Sequence, residues 1–182
     1  MGNTSTSSCI TSVLLGIPVE TTVGKGAGIT DEMYRQKTDA LKRALEINAP
    51  DRNDPIDVVA KVGGFDIAGL IGVYLACAEE RVPVIIDGFI SATAALAASR
   101  LSADAVGFMI PSHVSEEPAF KTIMTSMGLD AYLALDMRLG EGSGCPIAFH
   151  VIDCALAMEN CMATFAEATI DNSEFVDIRE DE

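Results

Sequence analysis

Four short segments of this chain bring glycine together with side chains that can do chemistry: Gly2-Asn3-Thr4, Gly24-Lys25-Gly26-Ala27-Gly28, Asp87-Gly88-Phe89 and Leu139-Gly140-Glu141-Gly142-Ser143-Gly144. Closely spaced glycines let backbone N–H groups converge on an anion, because no Cβ stands in the way. A helix starting just after such a loop adds partial positive charge at its first turn. With Lys25 inside the first long loop and Lys37 shortly after it, the chemistry that fits is phosphate binding. Neither loop is a GxGxxG and no GxxxxGK[ST] occurs, so on spacing alone turn-forming glycine is the plainer reading.

Glu141 stands between two glycines, and the only Lys or Arg after it is Arg179. A carboxylate desolvated in an apolar, glycine-lined loop is the kind of group that serves as a general base near neutrality. Taken singly, Glu141 reads as a solvated loop acid, Lys37 as a solvated helix lysine and His113 as a satisfied loop histidine.

The elements that must hold these segments follow from the apolar spacing. Small polar residues leading into Ile10, Val13, Leu14 and Leu15 predict a polar loop capping a short helix that stops at Gly16. Val19 to Val23 reads as extended. Thr30 or Asp31 caps a charged helix to about Asn48, in which Ala40, Leu41, Ala44 and Leu45 recur at helical spacing. After a linker over 50–55, a short helix over 56–62 ends at Gly63-Gly64, and a helix of small residues runs from Phe65 to Glu80.

Val82 to Ile86 and Val106 to Ile110 have the composition of fully buried parallel strands; the first ends at Asp87-Gly88 and the second at Pro111-Ser112-His113. Helices over 91–99, 117–127 and 147–166 complete the pattern. The alternation predicts an α/β fold, a three-layer Rossmann-like parallel sheet flanked by helices, with ligands at the carboxyl ends of its strands. One domain over 1–170 is followed by an acidic tail, 171–182.

Composition narrows the partners. At 182 residues and 49% apolar content the chain can bury a core without disulfide or metal. The net charge of −15 repels nucleic acid and anionic membranes. Yet seven of the twelve bases lie between Lys25 and Lys61, a local cationic patch suited to a small anionic ligand. Five cysteines without CxxC spacing argue for buried free thiols in a reducing cytoplasm. The longest apolar run, Ala68 to Ala78, is too short to span a bilayer, and no leader is expected.

The blocks MGNTSTSS, VGKGAG, KVGGFDIAGLIGVYLACAEERVPVIIDGFISATAALAA, PSHVSEEPA, LDMRLGEGSG and MATFAEA occur in one order with ordered spacing. Together they resemble the nicotinate-nucleotide–dimethylbenzimidazole phosphoribosyltransferase family, over its carboxyl-terminal, roughly half-length portion. The resemblance runs from Met1 to about Ala168 and rests above all on GGFDIAG, IDGFISATAA and RLGEGSG in combination. It implies transfer of a phosphoribosyl group from nicotinate mononucleotide to 5,6-dimethylbenzimidazole, with inversion at the anomeric carbon, giving α-ribazole 5′-phosphate for cobalamin. It implies no metal and no cofactor, a homodimer, and small-molecule substrates as the other partners.

The same resemblance assigns the base that deprotonates the incoming benzimidazole to Glu141. It sets Gly2, Gly26, Gly28, Lys37, Gly88 and Ser115 around the nucleotide, with Asn3, Asp87, Phe89, Leu139 and Gly140 also binding substrate. The family's Arg in the first glycine loop is Lys25 here, Ala27 stands where Thr is usual, and Pro146 follows the second loop. Lys25 keeps the charge without the planar fork. In the family a segment Glu-x-Gly-Ile precedes Gly-Asn-Thr; by resemblance Met1 stands here in the middle of that motif, and the motif's acid is not expected in this chain. These departures leave a second expectation: a catalytically silent module that binds nucleotide phosphate, or an oligomer partner of a complete paralogue.

Overall fold

The computed structural model describes residues 3–26, 28–137 and 139–171. Gly2, Ala27 and the tail from 172 onward, all named above, lie outside the described residues. The chain divides into two compact units, Met1–Ala148 and Phe149–Glu182.

The first unit runs α1 (Asn3–Leu15), a 3₁₀ turn (Val19–Thr21), α2 (Asp31–Asn48), α3 (Pro55–Val62), α4 (Phe65–Glu79), β1 (Val84–Ile86), α5 (Phe89–Leu101), a 3₁₀ stretch (Ala103–Phe108), β2 (Met109–Pro111) and α6 (Phe120–Met127). The start of α7 (Gly144–Cys161) also belongs to it. The core forms around α5, whose residues from Ala92 to Ala98 are all buried. Alanines add little bulk, so neighbouring helices can pack close to its backbone. Ile67, Ile71 and Tyr74 of α4 and Phe120, Ile123 and Met124 of α6 join that core. From α1, Thr11 Oγ1 lies 3.0 Å from Thr93 Oγ1 in α5. Because the Thr93 hydroxyl donates to Phe89 O at 3.0 Å, Thr11 is the donor of that pair.

Helix ends follow local chemistry. Thr30 caps α2 by accepting the Met33 N–H at 3.2 Å, one of the two caps the sequence offers. Asp54 Oδ1 accepts the N–H groups of Ile56 and Asp57 at 3.0 and 3.2 Å, and Pro55 fills the first turn of α3. Gly63 closes α3 by donating its N–H to Val59 O at 3.0 Å, and a side chain there would collide with that same oxygen.

Three expectations are corrected. Residues 3–8 are helical and not a capping loop: the hydroxyls of Thr6 and Ser8 donate to Asn3 O and Thr4 O at 3.0 and 2.8 Å, so the polar side chains are satisfied inside the helix. Val19–Thr21 is a 3₁₀ turn, closed by Thr21 Oγ1 on Pro18 O at 2.6 Å.

The third concerns the sheet. The strands are shorter than expected, and the described residues form a mixed, helix-rich unit with one two-stranded parallel sheet. β1 and β2 pair from Val84 against Met109 to Ile86 against Pro111. Pro83 has no N–H to extend the ladder, and 103–108 wind into 3₁₀ turns. Nor are the strands fully buried, since Ile110 is 37% exposed.

In the second unit α7 continues to Cys161, short of the expected Ala166, and leaves Val151, Leu156 and Met158 exposed. A turn follows in which the Thr164 N–H donates to Glu167 Oε2 at 2.8 Å and the Glu167 N–H to Thr164 Oγ1 at 3.2 Å. This is the reciprocal pattern of a capping box.

Candidate active site

The first glycine loop is fixed from both sides. Thr22 Oγ1 lies 3.0 Å from Ser8 O and 2.8 Å from Val19 O, tying the start of the loop to α1. From α2, the Tyr34 hydroxyl donates to Val23 O at 3.4 Å, and one turn on the Lys37 ammonium donates to Gly24 O at 3.0 Å and to Thr4 Oγ1 at 3.3 Å. Lys37 is half-buried, and burial holds its pKa below the ordinary lysine value, against an opposing pull from the Glu117 carboxylate.

Around Lys37 the small residues are needed for close approach. A side chain at Gly24 would collide with the Glu117 carboxylate, whose buried Oε2 has no hydrogen-bond partner. Gly26 has a left-handed φ of +54°, and a Cβ on it would stand 3.6 Å from Thr4 Oγ1. Ser115 Oγ accepts the Glu117 N–H at 3.4 Å and lies 3.8 Å from where a Cβ of Gly88 would be. Gly26, Lys37, Gly88 and Ser115 are thus linked as successive neighbours through Thr4, Gly24 and Glu117.

The second glycine loop has an unusual backbone. Gly140, Glu141 and Gly142 have φ values of +73°, +58° and +75°, three left-handed residues in succession. For glycine this conformation is free; for Glu141 it is a sparsely populated one that the surroundings must impose. Asp87, at the carboxyl end of β1, supplies a restraint. Its Oδ2 accepts the Gly142 N–H at 3.1 Å and its Oδ1 the Gly144 N–H at 2.9 Å. Ser112, just after β2, donates its Oγ hydrogen to Asp87 O at 3.2 Å, and the same oxygen lies 2.9 Å from His113 Nδ1. His113 is 2% exposed, and a side chain on Gly144 would run into its ring.

The end of β1 therefore serves both regions: Asp87 holds the Glu141 loop and Gly88 adjoins Ser115 of the Lys37 region. Glu141 itself is exposed, so the apolar enclosure expected around it is absent from the described residues.

Other named residues are placed differently. Lys25 pairs with Asp31 at 2.6 Å on the surface rather than joining Lys37. The Asn3 side-chain amide donates to Asp66 Oδ2 at 3.2 Å. Phe89 is 3% exposed and packs in the core. Leu139 is 75% exposed, and Gly28 has open space around its Cα.

Glu117 and Thr4 were not singled out by their own chemistry. Thr4 lay inside a marked segment, and Glu117 inside PSHVSEEPA, where nothing separates it from Glu116. Among the described residues no group of three His, Cys, Asp or Glu could hold a metal ion, and no helix is long and apolar enough to cross a membrane.

Comparison with known proteins addresses the family of the chain. Residues 1–170 match a family model described as phosphoribosyltransferase. The nicotinate-nucleotide–dimethylbenzimidazole phosphoribosyltransferase of Clostridium tetani (strain Massachusetts / E88) is 52% identical over 181 residues, covering 99% of this chain and 50% of that protein. The protein of the same name from Acetivibrio thermocellus is 50% identical over 171 residues, covering 94% of this chain and 49% of that one. The crystal structure of CobT from Thermus thermophilus aligns with a TM-score of 0.88 at 35% identity, over 95% of this chain and 51% of that chain. The chain spans about half the length of the curated relatives it matches. A family match over residues 1–170, with backbone and sequence agreeing along the same stretch, settles its kinship: the chain belongs to the phosphoribosyltransferase family.

Proposed function

We propose that this chain forms the nucleotide-binding and proton-accepting part of an enzyme that transfers the phosphoribosyl group of nicotinate mononucleotide to 5,6-dimethylbenzimidazole, for the lower ligand of cobalamin. The observation that carries the reading is Lys37, a half-buried ammonium whose hydrogen-bond partners are the neutral oxygens of Gly24 and Thr4. A phosphate would offset its desolvation with a charge-assisted hydrogen bond. Gly2, Gly26, Gly28, Gly88 and Ser115 complete the nucleotide site, and Asn3, Phe89, Leu139 and Gly140 line the rest of the substrate region.

In the reaction the bond from C1′ to the nicotinate nitrogen breaks, and its electron pair stays on that nitrogen, which passes from cationic to neutral. Departure needs no acid. A benzimidazole nitrogen forms the new bond to C1′ from the opposite face, and the ring N–H proton passes to the Glu141 carboxylate. Products are α-ribazole 5′-phosphate and nicotinate, as in inverting glycosyl transfer without the acid half. The step needs no metal or cofactor.

The functional domain extends over 1–170 with 171–182 as a tail. β1 and β2 belong to a larger three-layer, Rossmann-like parallel sheet, a reading supported by their parallel pairing and by the exposure of Ile110. The protein works in the cytoplasm as a homodimer.

The half-length span favours a second reading, a module that binds the nucleotide but does not turn it over. Incubating the purified chain with nicotinate mononucleotide and 5,6-dimethylbenzimidazole separates the two. Formation of α-ribazole 5′-phosphate, detected by mass and lost in Glu141→Gln, supports the enzyme. Nucleotide binding without product supports the module, and no nucleotide binding removes both.

A further inference from the structure

We infer that Asp87 is a positioning residue: its carboxylate holds the Gly140–Gly144 loop, and with it the left-handed backbone of Glu141, through the amides of Gly142 and Gly144, rather than contacting substrate. The proposal rests on the reading of Glu141 as the base. It differs from the substrate-binding place that family resemblance gives Asp87.

Both oxygens of the carboxylate are engaged. Oδ2 takes the Gly142 N–H at 3.1 Å and Oδ1 the Gly144 N–H at 2.9 Å, so the two bonds straddle Ser143 and begin one residue after Glu141. Hydrogen bonds to an ionised acceptor are stronger than neutral ones, and a pair on two alternate amides fixes an orientation as well as a position. What they fix is otherwise unfavourable, since Glu141 is a non-glycine residue at φ +58° between left-handed glycines.

The strut is itself anchored. Asp87 follows β1, Ser112 N donates to Ile86 O at 2.9 Å, and Ser112 Oγ reaches Asp87 O at 3.2 Å. Gly144 also abuts the buried ring of His113, which leaves no room for a side chain. The loop thus meets a carboxylate and an imidazole, both carried by segments that follow the two strands. Tyr74 and Cys145 are the other titratable groups that feel the Asp87 charge, and it raises the pKa of each, although burial is the larger cause for both.

The test pairs spectroscopy with kinetics. In Asp87→Asn, one of the two glycine amides faces an NH₂ donor instead of an oxygen. The amide proton signals of Gly142 and Gly144 should then move upfield, and the Glu141 Cα shift should leave its left-handed value. The amide of Ser112 in the β1–β2 ladder should stay in place as evidence of folding. Asp87→Glu keeps the charge and should restore part of the signature. Gly144→Ala, whose methyl would press on the His113 ring, should also displace Glu141.

In the transfer reaction Asp87→Asn should lower kcat about 10- to 100-fold with the KM for nicotinate mononucleotide unchanged. Unmoved glycine amides, or an unmoved Glu141 Cα, overturn the proposal. So does a raised KM with unchanged kcat, which would make Asp87 a substrate ligand. Full activity in Glu141→Gln, or no transfer by the wild-type chain, overturns the proposed function instead. The spectra then still decide whether Asp87 holds the loop.

Discussion

Two side chains carry the proposed chemistry, and each makes its own prediction. Glu141→Gln keeps the shape of the loop and removes the basic oxygen, so transfer should fall by about 100-fold or more while nucleotide affinity, read by calorimetry, stays the same. Lys37→Ala should weaken nicotinate mononucleotide binding about tenfold or more, the loss of one charge-assisted bond to phosphate.

Lys37 also sets a pH dependence. Burial lowers its folded pKa, so the unfolded chain holds this proton more tightly than the folded one. The ligand-free protein should therefore gain stability as pH climbs from the folded value toward the ordinary lysine value. Nucleotide affinity should decline over the same window, because the cation is lost, and titration calorimetry at stepped pH reads this directly. Among the thiols, burial pushes Cys9 up to about 11, whereas Cys154 and Cys161 are exposed. A thiol reagent at neutral pH should modify the latter two and reach Cys9 only after unfolding.

At the scale of elements, the contact between α1 and α5 offers the sharpest test. Thr93→Val strips the acceptor from the buried Thr11 hydroxyl and the donor from Phe89 O, and should cost about 1–3 kcal/mol. Adding Thr11→Val should return part of that loss, because no hydroxyl is then stranded; urea unfolding of the single and double variants measures both.

The helices were the legible part of this fold. α2 announced itself through Thr30 and a clear apolar stripe, and α3 and α4 through the Gly63-Gly64 pair between them. The strands were not, because short apolar runs do not reveal that Pro83 and the 3₁₀ stretch before Met109 leave three residues of the first run and two of the second in the ladder. The start of α1 escaped for a related reason: serine and threonine usually compete with helix hydrogen bonds, and here they fold back onto their own turn. Of the site, residue types and glycine spacing could be read, and family resemblance added roles. The bonds from Asp87 to Gly142 and Gly144 could not be read, since nothing local connects residues 55 and 57 positions apart.

For the whole molecule, surface chemistry sets the behaviour. Phe65 is 99% exposed beside a groove of about 450 Å³ lined by Ile56, Val59, Ala68 and Leu101, and the distal half of α7 also shows apolar side chains to solvent. Exposed apolar area of this kind promotes association. The isolated chain should therefore elute at a mass that grows with concentration and bind a hydrophobic dye, and Phe65→Asp should reduce both. A monomer at every concentration would show that these side chains are tolerated singly.

The long reach of Asp87 has a consequence in time. Closing a loop of more than 50 residues is entropically slow and depends on the chain between its ends being compact already. The Glu141 turn can acquire its shape only after the β1–β2 ladder and α5 exist, so the chemistry should be the last part of this unit to mature. In pulse-labelled refolding, Gly142 and Gly144 should become protected after Ser112. A nascent chain not yet synthesised through residue 144 would then be folded in its core while still inert toward a benzimidazole.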